Sequence, residues 1–161
     1  MPPRTFAAAI VLALVASACG SATQDAASRP AADRARGEFA FGKPALPPDA
    51  TRTIEVRLLD SMRFDPPTIT VSAGDVVTFH IVNVGKIPHD FVLGDEALQA
   101  SHAAEASDGH SHSYAANAVS LQAGQEGSLS WRFAEPGTVL YGCHVPGHYG
   151  AGMVGTITIR E

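Results

Sequence analysis

From Thr51 onward, apolar and polar positions follow one another in short runs with a period of two rather than in helical spacing. Thr53-Ile-Glu-Val-Arg-Leu58 places every second side chain on an apolar face, which is the pattern of a half-buried strand. Pro66-Pro67 interrupts before Thr68-Ile-Thr-Val71, and Gly74-Asp75 turns into the β-branched run Val76-Val-Thr-Phe-His-Ile-Val82. Further runs are His89–Leu93, Gly127–Phe133, Thr138–Tyr141 and Val154–Ile159, with turns at Ala123-Gly124 and Glu135-Pro-Gly137. Seven short alternating segments over this length predict an all-β chain folded as a Greek-key β-sandwich of about seven to eight strands. Residues Gly94 to Asn117 break the pattern and are too long for a plain hairpin loop. Good helix formers from Glu96 to Ala106 predict a short helix there. This stretch holds His102, His110 and His112 and reads as an insertion, not a second domain.

The N-terminal third is organised differently. Arg4, the apolar run Phe6 to Ala16 and the small residues Ala16-Ser17-Ala18 predict an export signal over 1–18. Its apolar core is shorter than the roughly 20 residues a spanning helix needs. Small residues before Cys19, with Gly20-Ser21 after it, are similar to the lipobox of bacterial lipoproteins, although Ala16 stands where Leu is usual. That resemblance implies cleavage before Cys19 and a lipid on its thiol, while Ala-x-Ala also suits ordinary signal cleavage. From Cys19 to Ala50 four basic and four acidic residues, with Ala, Ser and Pro, show almost no apolar pattern and predict a disordered tether over 19–50. The folded domain is expected over 51–161, with Phe39 and Phe41 able to dock on it. The protein is therefore expected to be exported to the periplasm or cell surface and held at a membrane through Cys19.

Charge and cysteine usage narrow the function. The domain has six basic and twelve acidic side chains, a formal charge of −6, which argues against a nucleic-acid partner. It suits docking on a basic redox partner, and ordinary solubility accounts for the same balance. Of the two cysteines, Cys19 belongs to the anchor, so Cys143 is the one thiol of the domain. A lone thiol in an oxidising compartment is a liability unless something occupies it, and a metal is one such occupant.

Cys143 opens the densest chemistry of the chain, Cys143-His-Val-Pro-Gly-His148-Tyr-Gly-Ala-Gly-Met153. Thiolate and thioether are soft donors and imidazole suits copper; two His and a Cys with a weak Met form the ligand set of an electron-transfer copper site. Pro88-His89-Asp90 supplies a candidate for the second histidine. Glycines at 147, 150 and 152 let the backbone between Cys143 and Met153 fold back tightly. His144, adjacent to Cys143 on extended backbone, points the other way and is read as a surface or supporting residue. His80 reads as a hydrogen-bonded or solvated strand histidine, and Met62 has no supporting pattern. Zinc is the rival metal, but structural zinc sites prefer several thiolates and a Met ligand is unusual for zinc.

Pro88-His89, Tyr141-Gly-Cys143, Pro146-Gly-His148 and Gly152-Met153-Val-Gly155 resemble the cupredoxins, the blue-copper family of plastocyanins and azurins. The resemblance extends over about 110 residues. It implies one type 1 copper ion, cycling between Cu(I) and Cu(II), in a trigonal plane of His89, Cys143 and His148 with Met153 as the weak axial ligand. It also implies a docking face of Val145, Pro146 and Tyr149 around His148. Many members have Asn after the mid-chain histidine to brace the Cys loop; here Asp90 stands there, and a carboxylate only accepts unless protonated.

Two functions follow from that site. The first is an electron carrier outside the cytoplasm, acting as a monomer on a redox partner protein. The alternative is a periplasmic or cell-surface copper-binding protein for copper tolerance or delivery, which the histidines of the insertion favour. No Ser-His-Asp logic, phosphate loop or open zinc pattern points to an enzyme.

Overall fold

A computed structural model describes residues 38–107 and 116–161. The expected signal peptide, Cys19, and His110 and His112 lie outside the described residues. Among the described residues, ten strands and one α-helix follow in order: β1 Gly42–Pro44, β2 Arg52–Leu59, β3 Arg63–Asp65, β4 Thr68–Ser72, β5 Val76–Asn83, β6 His89–Gly94, α1 Glu96–Ser107, β7 Ala118–Leu121, β8 Glu126–Phe133, β9 Gly137–Gly142 and β10 Val154–Arg160. They form two five-stranded sheets, in the orders β1-β8-β5-β2-β3 and β4-β10-β9-β6-β7. All seven runs read from the alternation are strands, and the predicted helix is present. The count rises to ten because β1, β3 and β7 are only three or four residues long, too short to show a period.

The core lies between the sheets. One inner face carries Val56, Leu58, Phe79, Ile81, Trp131 and Phe133; the other carries Phe91, Leu93, Val139, Tyr141, Ile157 and Ile159, all buried. Phe64 and Phe91 pack against Tyr141 with ring centroids 5.0 and 5.3 Å away. Strands β6 and β9 pair antiparallel with Val92 opposite Gly142. Because side chains alternate, His89 shares the inner face with Phe91 and Leu93, and Cys143 continues the inner row of Val139 and Tyr141. Helix α1 packs on the outer face of the same two strands, which is why every residue of β6 is buried.

The segment expected to be a spacer does not remain one to Ala50. Gly42–Pro44 pairs with β8, and Phe41 stacks on Trp131 at 5.4 Å with Phe39 beside both rings. The aromatic residues supply the apolar surface that the rest of 19–50 lacks. Phe41→Ala should therefore lower stability to denaturant by about 3–5 kcal/mol, as for other buried aromatic truncations. An unchanged unfolding midpoint would show that 38–45 contributes nothing to the core.

Candidate metal centre

At one end of the sandwich, His89, Cys143 and His148 each offer a ligand atom, and these atoms all lie within 4.8 Å of one another. Cys143 Sγ is 3.3 Å from His148 Nδ1 and 3.9 Å from His89 Nδ1. His89 and Cys143 are fully buried, while His148 is half-buried at the rim. Each position has a local cause. The strand alternation turns His89 and Cys143 inward; a folded-back loop then returns His148 to them.

That loop is closed by its own backbone. The His148 amide donates to the Val145 carbonyl, and the Met153 amide donates to the His148 carbonyl at 3.0 Å. The Cys143 amide donates to the Met153 carbonyl at 3.1 Å, so the first and last residues of the motif are clasped together. Met153 is fully buried in the core beside Cys143. Gly147 and Gly152 adopt φ of 86° and 88°, a region that β-carbon crowding makes costly for other residues. From β3, Arg63 Nη1 donates to the Ala151 and Gly152 carbonyls at 3.3 Å, anchoring the turn before Met153.

The bracing that Asp90 put in doubt is supplied by its main chain. The Asp90 amide donates to Cys143 Sγ at 3.3 Å, a contact that does not depend on the side chain. Burial pushes the Cys143 thiol up to about 11, against the Asp90 amide bond that favours the thiolate. Burial, then the neighbouring His89, pulls His148 below its ordinary value, which favours the neutral imidazole a metal requires.

Two supporting residues were not visible in the sequence. Gln99 of α1 is fully buried; its Nε2 donates to the carbonyls of Val92 on β6 and Leu140 on β9, at 2.8 and 3.3 Å. Its Oε1 lies 2.7 Å from His144 Nε2, and since both amide protons face carbonyls, His144 is the donor. His144 is thus a supporting residue and not a surface one: it is buried, and its ring stacks on Tyr149 at 4.9 Å. His102 lies on α1 with its ring 5.4 Å from His144. Asn83 is the second, binding the carbonyls of Ile87 and Leu121 and the amide of Gly85, which shapes the turn leading to His89. The other two candidates stand apart: His80 pairs with Glu126 on an exposed strand face, and Met62 packs at the core margin.

The donor set is chemically complete for copper: one buried thiol and two imidazoles around one point, with the buried thioether residue Met153 bonded through its carbonyl to the Cys143 amide. Cys143, the only Cys among the described residues, is free of any disulfide there.

Two outcomes are expected. Gln99→Leu strips two strand carbonyls and the His144 N–H of their shared partner, and should cost about 1–3 kcal/mol in denaturant unfolding. The folded chain without metal holds the Cys143 proton between pH 9 and about 11, where the unfolded chain has lost it. Its stability should therefore fall over that window by about 1–3 kcal/mol more than that of Cys143→Ser, measured by denaturant midpoints at pH 8.5 and 10.5. Equal losses in the two proteins would contradict the burial account.

Comparison with known proteins agrees with the geometry. The family model described as copper binding proteins, plastocyanin/azurin family, matches residues 51–160. The chain is 41% identical over 121 residues to a protein of Rubrivivax gelatinosus named copper-resistant cuproprotein CopI, covering 74% of this chain and 73% of that one. The protein of the same name from Pseudomonas aeruginosa is 36% identical, with 75% and 83% covered. Among solved structures, auracyanin B superposes with a TM-score of 0.62 at 30% identity, over 75% of this chain and 97% of that one. The four side chains His89, Cys143, His148 and Met153, arranged as a type 1 copper site in a two-sheet sandwich, thus accompany a match across the whole domain, and the chain belongs to the plastocyanin/azurin family of copper-binding proteins.

Proposed function

We propose that the chain binds one copper ion through His89, Cys143 and His148, with Met153 as a weak axial donor, and serves copper tolerance outside the cytoplasm. The observation that carries the site is the convergence of three ligand atoms within 4.8 Å in a pocket braced by backbone bonds. Copper tolerance rests on the relatives in Rubrivivax gelatinosus and Pseudomonas aeruginosa, both named copper-resistant. Export rests on the apolar run of 1–18, and membrane attachment on lipidation of Cys19. No helix among the described residues is long and apolar enough to cross a membrane.

Bound copper supplies a one-electron Cu(II)/Cu(I) couple. The chain's own part is to hold donors of mixed softness in place and to keep water from them. The Cys143 thiol would give up its proton and hold the metal as thiolate. His89 and Met153 are shut inside the core, so His148 is the ligand nearest solvent.

A second reading, an electron carrier, is favoured by that exposure. Electrons entering or leaving through His148 cross little protein, and Val145, Pro146 and Tyr149 surround it as a docking face for a redox partner. Stoichiometry separates the two. A carrier binds only the copper of this site; a tolerance protein takes up more beyond it, and loses the excess when His102, His110 and His112 become Ala.

Copper-loaded protein should show intense visible sulfur-to-copper charge transfer, absent in Cys143→Ser. Met153→Leu should keep the copper and raise its reduction potential, because removing a weak donor disfavours Cu(II). A band that survives Cys143→Ser, or complete copper loss in Met153→Leu, contradicts the assignment.

A further inference from the structure

Beside the metal centre, on the turn between β2 and β3, stands a carboxylate that lies outside the Pro88-His89 and Cys143–Met153 motifs. Asp60 Oδ1 lies 3.3 Å from Nε2 of His89, the ring nitrogen turned away from Cys143. His89 is fully buried, whereas the Asp60 side chain is 40% exposed, so the contact runs from solvent to the inside of the site.

The position of Asp60 is built, not incidental. The Lys86 amide donates to both carboxylate oxygens, at 3.0 and 2.9 Å. Both oxygens therefore face N–H donors, which is the accepting role an aspartate fills in its ordinary ionised form. Gly85 makes the approach possible: a β-carbon there would fall 2.0 Å from Asp60 Oδ1. Asn83 holds the Gly85 amide at 2.9 Å and fixes the same turn through the Ile87 carbonyl. Three residues of one turn thus shape a seat for a carboxylate supplied from a distant part of the chain.

An ionised carboxylate accepts and cannot donate, so the proton of a neutral His89 sits on Nε2 and the lone pair on Nδ1, toward Cys143. A carboxylate behind a ligating imidazole also makes that imidazole more basic and stabilises the more highly charged metal state. We propose that Asp60 is the positioning residue of the centre: it fixes the ring orientation and tautomer of His89 and biases bound copper toward Cu(II). The proposal rests on the reading that His89 is a ligand, and the test separates the two.

Three full-length variants are compared with the unaltered protein by protein-film or solution voltammetry at low ionic strength. Asp60→Asn keeps the shape and an acceptor but removes the charge. It should shift the Cu(II)/Cu(I) affinity ratio three- to tenfold toward Cu(I), a rise of about 30–60 mV for a one-electron couple. Gly85→Ala keeps the charge but displaces the carboxylate, and should raise the potential in the same direction. Glu135→Gln is the charge control. It lies before the opposite end of β9, about 20 Å along the strand from Cys143, and should shift the potential by less than a third as much. Without metal, ring NMR should show a slowly exchanging Nε2 proton on His89 that is lost in Asp60→Ala. If His89→Gly leaves the charge-transfer spectrum of the loaded protein unaltered, the ligand reading itself fails. If His89→Gly alters it while Asp60→Asn moves the potential no further than Glu135→Gln, the role of Asp60 alone is overturned.

Discussion

The register between β6 and β9 is the constraint on which the centre depends. With Val92 opposite Gly142, His89 and Cys143 both turn into the core at the same end of the sandwich. A slip of one residue in either strand would move its ligand to the outer face. That register is held by the buried aromatic residues of the same strands, Phe91 and Tyr141, and from outside by Gln99, which bonds a carbonyl of each strand. The metal site is therefore an extension of the hydrophobic core. Folding energy holds the donors together, and copper need not gather them.

Around this pair the remaining parts act as successive layers. The loop from Cys143 to Met153 is clasped end to end by backbone bonds, so His148 is presented by geometry that does not use its side chain. Arg63 ties the loop to β3 from one side, and the Gln99–His144–Tyr149 stack supports it from the other. Gly142 shows how tightly the second support is fitted, since a β-carbon there would meet Gln99 Oε1 at 2.6 Å and the Tyr149 ring at 2.9 Å. The helical insertion is thus part of the scaffold of the site through Gln99, whatever its histidines do.

Much of this was legible in the chain, for a reason that also sets the limit. Alternation at a period of two names the strands and puts Cys143 in line with Val139 and Tyr141, and the spacing of Cys143, His148 and Met153 on one glycine-bearing loop names the chemistry. Gln99 and Asp60 carry no such signal. Each acts through a side chain reaching a partner far along the chain, His144 from Gln99 and His89 from Asp60, and no local pattern encodes a contact of that kind. The burial of His144 was hidden likewise: alternation sends it to the outer face, and only the docking of α1 turns that face into an interior. Asp90 looked like a departure from the family because a side-chain role was expected, whereas its amide donates to the sulfur.

The central claim is that the folded chain presents one sulfur and two imidazole nitrogens to a single copper ion. X-ray absorption at the copper edge of the loaded protein measures this directly. A first shell of one short copper–sulfur and two copper–nitrogen distances, losing the sulfur in Cys143→Ser, is the predicted result; a shell of nitrogen and oxygen donors with no sulfur would contradict it.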